Sequence, residues 1–214
     1  MQLGEDTITM SMTLNPVNEA AFQKAVQSLE TLNRAAVFHP TGTGKSCIAW
    51  KVVEAHPQTT FFWLVAGAQR LALRQAELAR YNGGTLPGNV RFCDCEKLAA
   101  ATPEQWVRLG EQKPGCIVLD CYHELSAVCW AQSVQKLLRM CPQAKVLGLG
   151  VPNGAPVCAA AQELFADCIV SHMTVAEAMA AGTMPVPSAY AALLWPQEEE
   201  LATLRARIKN LCMP

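Results

Sequence analysis

The stretch RAAVFHPTGTGKS, Arg34 to Ser46, decides how this chain is read. Ala35, Ala36, Val37 and Phe38 form a short apolar run, which leads through a turn holding Gly42 and Gly44 into Lys45, Ser46 and a helical pattern. Strand, Gly-rich turn and helix, in that order, are what a phosphate-binding loop needs. The glycines permit backbone conformations and close approaches that a side chain would block, so successive N–H groups can point at phosphate oxygens. Lys45 can reach the β- and γ-phosphates, the Ser46 hydroxyl can ligate Mg²⁺, and the helix adds the positive end of its dipole. His39 stands where the strict pattern has Gly. The motif is therefore matched at Gly44, Lys45 and Ser46, with Thr41, Gly42 and Thr43 completing the expected nucleotide contacts.

Moving outward from the loop, Phe22, Val26, Leu29 and Leu32 recur at helical spacing and predict an amphipathic helix before the first strand. Lys45 to Ala55 reads as a helix ended by His56-Pro57. Thr60–Ala66 reads as a buried strand, Gln69 to Tyr81 as a helix broken at Asn82-Gly83-Gly84, and Val90 to Phe92 as a short strand. Pro103 opens a further helix. Gly115–Asp120 is an apolar run closing on an acid, Ala127 to Met140 is helical, and Lys145–Gly150 is another buried strand. Strands alternating with helices imply an α/β fold with a central, mainly parallel sheet. After Pro156 the pattern is mostly helical, ending in an amphipathic segment from Pro196 to Leu211.

Composition narrows the classes. With 214 residues, 51% of them hydrophobic, the chain can bury the core of one sizeable domain. A net charge of -1 argues against a basic surface spread over the molecule. The polar, acidic start and the lack of about eighteen consecutive apolar residues predict no membrane span or secretory signal, hence a cytoplasmic protein. Ten cysteines are scattered without a C-x-x-C pair, so they read as small core residues with reduced thiols and not as a zinc site.

A strand ending in Asp supplies, in phosphate-loop ATPases, a carboxylate that holds Mg²⁺, directly or through water. Asp120 fits that role, because parallel strands gather their ligand crevice at their carboxyl ends. HPTGTGKS, then IVLDCYHELSAVCW, then KVLGLG resemble motifs I, II and III of superfamily-two helicases of the DEAD/DEAH type. The resemblance runs from about Asn18 to Leu194, and Leu164–Pro187 is similar to the segment after motif III in a bacterial branch of such proteins. It implies a RecA-like first lobe that binds ATP and Mg²⁺ and, with a second lobe, moves on or remodels nucleic acid. It also implies a link from His123 to that second lobe. Arg70 and Arg74 fall where the family places a nucleic-acid-contacting motif, although a solvated helix face is the simpler account of them. The family's adenine-reading Gln has only Asn18 and Gln23 as candidates.

The departures carry as much weight. Motif II should read Asp-Glu-x-His and here is Asp120-Cys121-Tyr122-His123. The missing Glu orients and deprotonates the attacking water; a thiol with a reference pKa of about 8.5 does neither well. Loss of a general base lowers rate by about 10²–10⁴-fold. Gly150-Val151-Pro152 replaces the hydroxyls of motif III, and no second lobe is seen in these residues to supply arginine fingers. The sequence therefore predicts a loose arm over residues 1–17, a RecA-like nucleotide-binding domain over 18–156 and a mostly helical extension over 157–214. Its expected function is ATP/Mg²⁺ binding with weak or absent hydrolysis. The alternative is a non-catalytic protein–protein interaction module with a vestigial nucleotide site.

Overall fold

Short runs that are apolar at every position, rather than alternately, ask for a sheet covered on both faces, and parallel strands joined by helices supply it. The computed structural model describes residues 12–120, 122, 128–152, 164–165, 167–187, 200–203, 205 and 207. Among them, β1 (Arg34–Phe38), β2 (Phe61–Val65), β3 (Val90–Asp94), β4 (Cys116–Asp120), β5 (Lys145–Gly150) and β6 (Ile169–His172) form one sheet. The order is β3-β2-β4-β5-β1-β6, and every pairing is parallel.

The helices are α1 (Pro16–Thr31), α2 (Lys45–Ala55), α3 (Ala68–Tyr81), α4 (Cys95–Ala99), α5 (Pro103–Glu111), α6 (Val128–Met140) and α7 (Val175–Ala180). Their starts follow local chemistry. Asn15 caps α1 with Pro16 in its first turn, and Thr102 and Gln105 close a capping box ahead of α5. Asp94 caps α4 by accepting from the Glu96 N–H at 3.0 Å.

Alternate strand residues sort into two cores. Val37, Trp63, Val118 and Leu149 pack beneath α1, α2 and α3, while Phe38, Leu64, Leu119 and Val146 pack beneath α4, α5 and α6. Trp63, Phe62 and Ile117 are wholly buried, each contributing about 1.5–3 kcal/mol relative to exposure.

One element departs from the sequence reading. Ile169–His172, within the segment expected to be mostly helical, is instead the sixth strand, paired with β1 and lying beyond residue 156 in the same sheet. It is a four-residue edge strand of mixed burial, too short and too exposed to carry a periodic signal. Val175–Ala180 and residues 200–203 are helical. Most of the amphipathic segment read over Pro196 to Leu211 lies outside the described residues.

Candidate functional site

Parallel strands bring all their carboxyl ends to one edge of the sheet. β5 lies between β1 and β4, and Leu149 registers with Val37 on one side and with Asp120 on the other. Asp120 therefore sits level with the end of β1, two strand spacings or roughly 10 Å away. Both residues face the α1–α3 side of the sheet, where α2 and α3 close over them.

The loop between β1 and α2 is held by its own polar groups. Gly42 and Gly44 adopt φ of +88° and +85°, the left-handed region in which a side chain is strained. Thr43 Oγ1 donates to the Pro40 carbonyl at 2.8 Å. Lys45 Nζ donates to the carbonyls of His39 and Pro40, 2.8 Å each, so its ammonium lies across the loop. Asn18 Nδ2 donates to the Thr43 carbonyl at 2.8 Å from the buried face of α1. A β-carbon on Gly44 would stand 2.8 Å from that nitrogen, so glycine is needed there for space as well as conformation. Gly44 is the N-cap of α2 and no side chain caps the helix; the Cys47 N–H closes its first turn onto the Gly44 carbonyl at 2.9 Å.

His39, the residue in place of the expected glycine, is fully buried and its Nε2 lies 2.7 Å from Ser171 Oγ on β6. Burial, then the charge of Lys45, then that of His172, push its pKa down to about 4, so the ring is neutral at pH 7. The imidazole pins the start of the loop to the edge strand.

Asp120 is 2% exposed. Its Oδ2 accepts from Trp63 Nε1 at 3.1 Å and from Arg74 Nε at 2.6 Å. Arg74, in the middle of α3, also pairs with Glu77 one turn on. Asp120, Arg74, Glu77 and the loop line a single pocket of about 440 Å³, walled also by Tyr81 among others.

The structure thus brings Thr41, Gly42, Gly44, Lys45, Ser46 and Asp120 to one place, while Thr43 is buried behind the loop as its brace. Arg70 is exposed and not part of the pocket; Arg74 faces into it. Cys121 and His123 lie outside the described residues, as does the side chain of Trp130. Sequence reasoning missed Glu77, which lines the pocket, and Trp63, which holds Asp120 from the buried side. Their partners Asp120 and Arg74 are distant in sequence or fixed only by the rotation of α3.

A nucleoside polyphosphate fits these residues: left-handed glycines, an uncapped eleven-residue helix and a lysine share one concave wall. A metal ion bound at Asp120 Oδ2 does not fit them, because that oxygen already accepts from a guanidinium and an indole N–H.

No protein-family model matches the sequence, and no curated protein does. Solved structures do match. A hypothetical ATP-dependent RNA helicase from Sulfolobus tokodaii superposes with a TM-score of 0.54 at 10% identity, over 72% of this chain and 52% of that one. The fold is that of a RecA-like P-loop NTPase domain. This P-loop domain spans about half the length of the helicase it matches. Domain III of the Thermotoga maritima replication initiation protein DnaA gives a TM-score of 0.46 at 11% identity, over 81% of this chain and 69% of that one. Among the described residues no helix is long and apolar enough to cross a membrane.

Proposed function

We propose that the pocket between the Gly42–Ser46 loop and Asp120 binds the phosphate chain of ATP or ADP, in a helicase-like first lobe that hydrolyses it slowly or not at all. The observation that carries this reading is the uncapped start of α2 beside Lys45 and in the same pocket as Asp120. Lys45 now donates to two neutral carbonyls, and a phosphate would offer it stronger, charge-assisted acceptors in the same place. The Ser46 hydroxyl is the group left to a metal arriving with the nucleotide.

Slow turnover follows from the sequence of motifs II and III, where Cys121 replaces the water-activating Glu and Gly150-Val151-Pro152 replaces the hydroxyls. Contact with nucleic acid, and completion by a second RecA-like lobe in cis or in trans, belong to the same reading. Arg70, exposed on α3, suits strand phosphates better than Arg74, which is turned onto Asp120. The free thiols of Cys47, Cys93, Cys95, Cys116, Cys141 and Cys168 are in keeping with a cytoplasmic setting.

Calorimetry at millimolar nucleotide tests the reading. Wild type is expected to give a saturable heat with Mg²⁺–ATP that Lys45→Ala removes. Silence from both proteins would set it aside in favour of the protein–protein interaction module.

A further inference from the structure

We propose that Arg74 is itself a phosphate ligand of this site, standing at Asp120 in the place of a divalent cation, so that the chain binds nucleoside polyphosphates without metal. The inference rests on the nucleotide reading of the pocket and states how that site neutralises its ligand.

The Asp120 side chain is 3% exposed, and a carboxylate so placed needs a counter-charge and hydrogen-bond donors. It has both on one oxygen, from Arg74 Nε at 2.6 Å and Trp63 Nε1 at 3.1 Å. Trp63 is wholly buried in the centre of the sheet, so its indole N–H is a fixed donor that holds Asp120 in this rotamer. A cation approaching the same oxygen would have to displace a short charge-assisted bond and lie against a guanidinium that stays charged at any working pH.

The guanidinium is also aimed. Nε serves Asp120 and Nη1 serves Glu77, which fixes its plane; among the described residues Nη2 serves no acceptor. Its side chain lines the pocket together with Gly42, Lys45 and Ser46. A planar fork with an unused edge, beside a loop of left-handed glycines, matches phosphate oxygens in the way a hydrated metal otherwise would. The Nη2 edge of Arg74, whose charge is shared with Asp120 and Glu77, and the Lys45 ammonium then meet the polyphosphate, one from each side of the crevice between α2 and α3.

The test is ATP binding to the full chain in excess EDTA and in Mg²⁺, followed by calorimetry. Wild type is expected to bind in EDTA within about threefold of its affinity in Mg²⁺, and Arg74→Gln with Asp120→Asn, which keeps the buried pair neutral and hydrogen-bonded, to weaken EDTA binding by about tenfold or more. Arg74→Lys should fall between them, since an ammonium keeps the charge without the fork. Binding that needs Mg²⁺ would overturn the inference and leave the nucleotide reading standing. EDTA binding unchanged in the double variant would overturn it as well. No binding in either buffer would remove both.

Discussion

Asn18, on α1, donates its side-chain amide to the carbonyl of Thr43 at 2.8 Å, so the helix that precedes β1 braces the loop that follows it. Both residues are at most 3% exposed, and removing the donor leaves a carbonyl buried without this partner. Asn18→Ala is expected to lower stability by about 1–3 kcal/mol in urea denaturation and to weaken nucleotide binding with it. Full stability with full binding would mean that the brace is incidental.

β5 reads Lys-Val-Leu-Gly-Leu-Gly because two aromatic rings need the room. A β-carbon at Gly148 would lie 2.7 Å from the Phe165 ring, and one at Gly150 would overlap the ring of Phe38. Gly150→Ala should cost about 1–3 kcal/mol by overpacking, seen as a lower melting temperature, and Phe38→Leu in the same chain should recover part of it. Additive losses would show that Phe38 is not the obstacle.

Those glycines also mark where the sequence stopped being readable. The apolar runs of β1, β2, β4 and β5 announce a parallel sheet because each is buried on both faces, and the loop from Gly42 to Ser46 announces its own use by spacing. Leu149, which aligns Asp120 with the end of β1, reads only as one more apolar residue until the strand order is known. Arg74 reads in the sequence as part of a solvated helix face because its partner is 46 positions away. β6 escaped notice because its burial is mixed over four residues. Local periodicity reports what each segment buries; it does not report what a side chain meets across the sheet.

His39 gives the site a pH dependence of definite sign. Its folded-state pKa of about 4 lies below the ordinary 6.5, through burial first and the nearby charges second. The unfolded chain therefore takes up the proton first, and acid favours unfolding. This contribution is intact above about pH 6.5, declines as the pH falls, and is lost below about pH 4. The full loss is on the order of 3 kcal/mol. His39→Gln, which can still bond to Ser171, should flatten stability across that window in urea titrations at stepped pH. An equally steep wild type and variant would assign the slope to other groups.

Hydrolysis turns on position 121. With a thiol in place of the water-activating carboxylate, phosphate release should stay near background and be unaffected by added DNA or RNA. Cys121→Glu should raise it by about tenfold or more if that residue is the chief defect. Wild-type turnover of about 1 s⁻¹ or faster would mean that another residue supplies the base.

The central claim is that this pocket recognises a phosphate chain, and a calorimetric series of ATP, ADP, AMP and adenosine against the wild-type chain tests it most directly. ATP and ADP should bind, AMP about tenfold or more weakly, and adenosine without measurable heat, because the proposed ligands, the loop glycines, Lys45 and the start of α2, suit phosphates and not a nucleoside. Adenosine binding as tightly as ATP, or no heat from any of the four, would contradict the account.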